Sequence, residues 1–185
     1  FLQERSGGMR ERGAEAEQLP QYAPQDHLGV ATCASGVCHG SVRAREATAV
    51  SQNEYVIWSR RDRHRAAYNT LLTDQSKSIA KNLGLKNAHE ADMCLDCHAD
   101  NVAVENRGER FQISDGVGCE ACHGGSETYI STHVDDAATH ASNIEDGLYP
   151  SDDPRARAKL CLSCHLGTSE KMANHNIMGA GHPRI

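Results

Sequence analysis

Four cysteine pairs, each followed directly by a histidine, constrain this chain more than any other feature. Three pairs have the form CxxCH, and the first, CASGVCH, is two residues longer. Together they use all eight cysteines of the 185 residues. They are Cys33 and Cys38 with His39, Cys94 and Cys97 with His98, Cys119 and Cys122 with His123, and Cys161 and Cys164 with His165. The pattern indicates one kind of site repeated along the chain.

The CxxCH spacing is the attachment signal for haem c. Two thiols form thioethers to the vinyl groups along one porphyrin edge, and the adjacent histidine lies under the ring with a nitrogen on the iron. In CASGVCH the two additional residues must bulge outward so that both thiols still reach the vinyls, and Gly36 lowers the strain of such a bulge. The sequence therefore predicts four covalent haem c groups.

Two other cysteine chemistries explain the pattern less well. A zinc site needs two CxxC pairs around one metal, or histidines spaced further downstream, and does not require a histidine after each second cysteine. A disulfide framework is feasible for eight cysteines in an exported chain, but it would not place a histidine after every pair. Both alternatives are set aside in favour of haem.

The composition agrees with a core that is built partly from cofactors. Only 38% of the residues are hydrophobic and 4% are aromatic, which leaves little material for a conventional core. Alternation of apolar and polar residues, the mark of a sheet, does not occur. We expect a mainly α fold of short helices and long loops wrapped around four haems, with little or no sheet.

Three helices and one N-terminal arm are predicted along the chain. The pattern predicts one helix within residues 52–72, a second from an Asp74 cap to about Gly84, and a third that begins at Asp153 and Pro154 and carries the fourth motif. Residues 1–24 are rich in Glu, Arg, Gly and Gln and are interpreted as a flexible or wrapping arm. Residues 25–185 would form the tetrahaem domain.

Eight axial positions on four irons need more ligands than the motifs supply. The histidines outside the motifs are His27, His64, His89, His133, His140, His175 and His182. This surplus makes bis-histidine ligation the default, although four methionines are alternatives. Helical spacing puts His64 on an apolar face with Tyr68 and Leu71, and His133 on one with Tyr129. His89 is expected to face solvent.

The chain resembles the multihaem family typified by the tetrahaem cytochrome that accepts electrons from hydroxylamine oxidoreductase in ammonia oxidisers. The resemblance extends from about His27 to the C-terminus. It depends on the segment from Trp58 to His64, on CLDCHA, on GVGCEACHGG followed by His133, and on CLSCH.

The resemblance also implies a set of distal ligands. By that likeness His133 serves the haem of His39, His64 serves the haem of His123, and His140 serves the fourth haem. The typical member leaves its second haem five-coordinate, but here His182 falls where a loop would cover that haem, which suggests a closed site. His27 and His175 remain open as substitutes for His140 or His182.

The expected function is electron transfer through closely packed, mostly bis-histidine haems, without catalysis. The alternative is a haem enzyme that reduces a small nitrogen or sulfur oxide at an open haem on His98. A net charge of -6 argues against a nucleic-acid partner, so donor and acceptor proteins, or a membrane-bound or multi-subunit redox complex, are expected. Haem attachment follows export, which indicates the periplasm or cell exterior. An export signal or membrane anchor before Phe1 stays open.

Overall fold

The computed structural model describes residues 18–46, 50–169 and 171–184, and short helices dominate this part of the chain. The α-helices are α1 (Val30–Cys33), α2 (Glu54–Arg61), α3 (Ala67–Thr70), α4 (Asp74–Asn82), α5 (Asp92–His98), α6 (Glu120–His123), α7 (Tyr129–Thr132), α8 (His140–Glu145), α9 (Pro154–His165) and α10 (His175–Gly179). Five 3-10 turns accompany them at Pro20–Tyr22, Arg63–Ala66, Ala88–Glu90, Val104–Asn106 and Ile113–Asp115.

Sheet structure is nearly absent from the described residues. The single β-bridge found there pairs His27 with Arg107 in parallel. The prediction of a mainly α chain with little or no sheet is therefore confirmed. No helix in the described ranges is both long and apolar enough to cross a membrane.

The helix predicted within residues 52–72 is broken at Asp62, so the prediction of one continuous helix is wrong. α2 ends at Arg61, and Asp62 has extended backbone angles. The Asp62 carboxylate accepts a hydrogen bond of 2.9 Å from the backbone N–H of His64 and thereby caps the next 3-10 turn. His64 consequently lies on that turn and does not share a helix face with Tyr68 and Leu71.

The other two predicted helices form, but the cap residue of α4 differs from the predicted one. α4 is capped by Thr73, whose hydroxyl accepts from the N–H of Ser76, so Asp74 is the first helical residue and not the cap. α9 begins as predicted, because the carboxylate of Asp153 accepts from the N–H of Arg155 at 2.7 Å. α9 carries the fourth motif.

A small apolar cluster holds the second motif in place. Its buried members are Leu71, Ala80, Ala88, Leu95 and Ala99. Leu95 lies between the two cysteines of the second motif, on α5. Burial of this leucine anchors one side of α5 and leaves the cysteines half-buried.

The predicted N-terminal arm is described only in part, because residues 1–17 lie outside the described residues. In the rest of the arm, Leu19 and Pro20 are buried, and the turn Pro20–Tyr22 contacts α6. The predicted boundary between arm and tetrahaem domain stays a prediction.

The backbone conformation of Gly29, just before the first motif, can be tested by substitution. Its φ is +95°, and an added Cβ would lie 2.3 Å from the carbonyl oxygen of Arg110. We expect Gly29→Ala to lower the free energy of unfolding of the holoprotein by about 3 kcal/mol, measured by denaturant titration. Gly179→Ala is the control, since nothing lies within 4 Å of its added Cβ. Equal effects of the two substitutions would contradict this explanation.

Candidate haem-attachment sites

The first motif, in which the two cysteines are two residues further apart than in the other motifs, forms a turn. Cys33 is the last residue of α1, and the N–H of His39 donates to the carbonyl oxygen of Cys33 at 3.2 Å. Residues 35–37 are exposed, whereas Cys33 and Cys38 are half-buried. The additional residues turn outward, as the sequence predicts.

Helices present the other three motifs. The second motif lies in α5 and the fourth at the end of α9, while the third begins at Cys119, the residue that precedes α6. Cysteines three residues apart on a helix share a face, and the next residue follows on the adjoining edge. Each short helix can thus direct two thiols and one imidazole towards one ligand.

Thiols of different motifs lie close together. A hydrogen bond between the side chains of Cys33 and Cys119 lowers the pKa of Cys33 and raises that of Cys119. A similar hydrogen bond between Cys97 and Cys164 lowers the pKa of Cys164 to about 5. The first motif therefore lies against the third, and the second against the fourth.

The third and fourth motifs are also neighbours. Burial raises the pKa of Cys122 to about 11, and the charge of Cys161 is the next largest cause. The four motifs thus form a contiguous series in the order first, third, fourth and second.

Three of the four motif histidines face a second imidazole. The ring centroids are 6.4 Å apart for His39 and His133, 6.1 Å for His64 and His165, and 6.2 Å for His98 and His182. Two imidazoles on opposite sides of one metal ion, each with a metal to nitrogen bond of about 2 Å, would have centroids ~6.3 Å apart. Each pair therefore has the separation that axial ligands of one iron need.

The second imidazole of each pair has its Nδ1 engaged in a hydrogen bond. Nδ1 pairs with the Asp62 carboxylate at 2.9 Å in His64, with the Tyr129 carbonyl at 2.9 Å in His133, and with the Pro183 carbonyl at 2.7 Å in His182. Partners of this kind fix the orientation of a ligating histidine and leave Nε2 for the metal.

Two motif histidines have the same arrangement. Nδ1 of His39 lies 3.0 Å from the Glu54 carboxylate, and Nδ1 of His98 lies 3.1 Å from the Ala67 carbonyl. Burial lowers the pKa of His98 and also that of His123. The neutral imidazole, which is the form that binds metal, is thereby favoured.

A cavity of about 440 Å³ joins the second and fourth motifs. The four cysteines of these motifs line it, together with the pairs His64 with His165 and His98 with His182. Thiols and opposed imidazoles around one cavity fit covalent haem c, whose attachment needs these groups.

The motifs that carried the family resemblance contact one another. The indole Nε1 of Trp58 donates to the carbonyl oxygen of Val117 at 3.0 Å, and the N–H of Val117 donates to the carbonyl of His64 at 3.1 Å. The segment from Trp58 to His64 is thus bound to the loop that leads into the third motif.

Residues 32–124 match the family of cytochrome c554 and c-prime, which is half of the chain and includes the first three motifs. The chain belongs to this family. It is a c-type cytochrome with covalent haem c that acts in electron transfer. No curated protein and no solved structure matches it. The predicted resemblance to a multihaem c-type cytochrome family is therefore confirmed.

The structure arranges two of the candidate distal histidines, His64 and His140, differently from what the resemblance implies. The ring of His64 lies 6.1 Å from that of His165, although the N–H of Val117 donates to the carbonyl of His64 and keeps its backbone next to the loop before the third motif. His133 lies beside His39, in the place that the resemblance assigns to it.

His140 does not face a motif histidine in the described part of the cytochrome. Its Nε2 lies 2.8 Å from the Asp152 carboxylate, and both side chains are exposed. The nitrogen that would bind metal is engaged at the surface, whereas His64 occupies the position opposite the fourth motif. The ligation of the fourth haem by His140 therefore stays a prediction, and His64 is the imidazole that lies beside His165.

His27 and His175, the two histidines left open as substitute ligands, differ in burial. His27 is wholly buried, and its Nδ1 lies 2.8 Å from the carboxylate of Asp100, which is also buried. Burial opposes protonation of His27, but its hydrogen bond to the Asp100 carboxylate and the charge of that carboxylate leave its pKa raised. His175 is the exposed first residue of α10. Neither ring stacks on a motif histidine in the described ranges.

Glu120 is a structural residue that the motif pattern did not predict. Its carboxylate is 2% exposed and accepts from the N–H groups of Leu28, Gly29 and Ser126 and from the Ser126 hydroxyl. It thereby connects the third motif to the chain just before the first. An acidic residue inside CEACH was the available signal.

Lys171 is a second structural residue that no sequence pattern predicted. It is 6% exposed and lines the cavity beside the second and fourth motifs. Its Nζ donates to the side-chain oxygen of Gln21 and to the carbonyl of Asp96. The lysine thus connects the N-terminal segment to α5, and its charge helps to lower the pKa of Cys164.

Proposed function

We propose that this cytochrome binds four haem c groups and passes single electrons through them, with bis-histidine ligation at most of the irons. The observation that carries the proposal is the separation of 6.1 to 6.4 Å between a motif histidine and a second imidazole at three motifs. Tyr68 and His89 also lie 6.3 Å apart, so the distance alone is not specific. The specificity comes from the cysteine pair that directly precedes one member of each histidine pair.

Haem c, when bound, supplies an iron that gains and loses one electron. The cysteines would hold the macrocycle covalently, and the paired imidazoles would occupy both axial positions. Hydrogen bonds to Nδ1 keep the rings oriented, so that ligation needs little rearrangement in either oxidation state. Two histidine ligands also hold the potential low compared with histidine and methionine.

The thiol contacts support an order for the electron path. The first motif contacts the third, the third is close to the fourth, and the fourth contacts the second. We infer that electrons move along this series, with the first and second motifs at its two ends. Donor and acceptor proteins would then approach opposite ends of the series.

The proposal also covers the cellular location of the cytochrome and its role as a carrier. We infer that it is exported to the periplasm or cell exterior, because haem c is attached after export. It would act as a carrier without catalytic turnover, either between free redox proteins or inside a membrane-bound or multi-subunit complex. The support is the chemistry of the motifs and the negative net charge of the chain.

The number of haems is tested by the mass of the denatured holoprotein. We expect the polypeptide mass plus four haems, since denaturation does not break thioether bonds. Replacement of both Cys161 and Cys164 by serine should remove one haem. Cys33→Ala is the matched control, because Cys38 alone should retain the first haem. A wild-type mass with fewer than four haems would refute the proposal.

A further inference from the structure

Lys171 is a lysine that the fold buries without a charged partner in the described ranges. Its residue is only 6% exposed, and a lysine is almost never buried to this degree unless an acid pairs with it. Here both partners of Nζ are neutral, namely the side-chain oxygen of Gln21 and the backbone carbonyl of Asp96, which lies at 3.3 Å. The positive charge is therefore not offset by an ion pair with the described residues.

The ammonium group lies where the second and fourth motifs meet. The carbonyl oxygen of Asp96, which accepts from Nζ of Lys171, also accepts from the thiol of Cys164 at 3.8 Å. Asp96 stands between Cys94 and Cys97 of the second motif, whereas Cys164 belongs to the fourth. Lys171 and the four cysteines of these motifs line the same cavity. One buried cation thus lies beside the thiols that would attach two haems.

We propose that Lys171 raises the reduction potentials of the second and fourth haems and so stabilises electrons at that end of the series. This inference rests on the proposed four-haem function. A haem that gains one electron becomes more negative by one unit of charge, and a nearby cation stabilises that state. Because the ammonium group is buried, salt and solvent screen this attraction weakly.

The other charged groups of the cavity do not depend on Lys171 for a partner. Besides Lys171, they are Arg63, Asp96 and Asp100. The carboxylate of Asp96 accepts from the side chain of Asn101 at 2.8 Å, and that of Asp100 pairs with His27 at 2.8 Å. Arg63 is exposed. Neutralisation of Lys171 would therefore lower the local charge by one unit without releasing a buried counter-ion.

The test is a potentiometric titration of the holoprotein, followed by optical absorption. Lys171→Met and Lys171→Gln replace the ammonium group with neutral, unbranched side chains. We expect two of the four one-electron transitions to move to lower potential, with the ratio of reduced to oxidised haem falling about tenfold at a given potential. For a one-electron couple this ratio corresponds to a shift of ~59 mV. The other two transitions should stay in place.

A further variant assigns the shifted transitions to particular haems. Replacement of both Cys161 and Cys164 by serine should leave three haems and remove the fourth-motif transition. Lys171→Met in that background should then move one transition, that of the second haem, and leave the other two unchanged.

Three controls separate the charge of Lys171 from its role as a connection between the N-terminal segment and α5. Lys171→Arg keeps the charge and should retain potentials close to those of the wild type. Gln21→Ala removes one hydrogen bond of Nζ but leaves the ammonium group, so it should not move the transitions. Lys77→Met removes a lysine whose side chain is 68% exposed, and its charge is screened by solvent.

The outcomes separate this inference from the proposed function. Four haems by mass with unchanged transitions in both neutral variants would overturn the role of Lys171 and leave the electron carrier intact. An equal shift in Gln21→Ala would show that the connection, and not the charge, sets the potentials. Equal movement of all four transitions would overturn the assignment to the second and fourth haems. Fewer than four haems by mass in the wild type would instead refute the proposed function.

Discussion

Glu120→Ala is expected to lower the free energy of unfolding by about 4 kcal/mol, because several buried donors would lose their acceptor at once. The carboxylate accepts from Leu28 and Gly29 at 2.8 and 2.7 Å and from the N–H and hydroxyl of Ser126 at 2.9 and 2.6 Å. The effect would be measured by denaturant unfolding of the holoprotein. Since these bonds join the first and third motifs, haem incorporation at both should also fall.

Two further variants make this prediction specific. Glu127→Ala is the matched control, since its carboxylate accepts one exposed bond of 3.2 Å from Asp26, and its loss should cost less than about 1 kcal/mol. Glu120→Gln should have an intermediate effect. Its amide oxygen can still accept from Leu28 and Ser126, while its NH₂ group would face the N–H of Gly29. Similar losses for Glu120→Ala and Glu127→Ala would show that the buried acceptor is unimportant.

His64→Ala is expected to convert one haem, the one attached beside His165, from low spin to high spin. The physical reason is that the His64 ring lies opposite His165 at 6.1 Å, with Nδ1 bonded to Asp62 and Nε2 free. Electron paramagnetic resonance of the oxidised protein should then show one more high-spin haem than the wild type. His64→Met should restore a low-spin haem at a higher potential.

His140→Ala is the comparison that distinguishes the structure from the family resemblance. The resemblance assigns His140 to the fourth haem, whereas the structure engages its Nε2 with Asp152 at the surface. We expect no change of spin state in this variant. If His140→Ala generated a high-spin haem and His64→Ala did not, the ligand assignment at the fourth motif would have to be reversed.

Features set by local sequence were the most predictable. Three motif spacings and a histidine after every cysteine pair require only contiguous residues, so the class of cofactor and the family followed directly from them. The start of α9 at Asp153 and Pro154 was predictable for the same reason, since a helix cap needs only its own first turn. The end of α2 was missed because the apolar spacing beyond it resembled a helix, although Asp62 was the available cap.

The sequence by itself determined the cysteine pairs, the histidine after each pair and the mainly α class, because these depend on residues a few positions apart. Only the tertiary structure decided which distant imidazole faces which motif. His64 is about a hundred residues from His165, yet their ring centroids lie 6.1 Å apart. His140, nearer in sequence, contacts Asp152 at the surface instead. Ligands at such distances are set by packing and hydrogen bonds between segments, which no local spacing encodes.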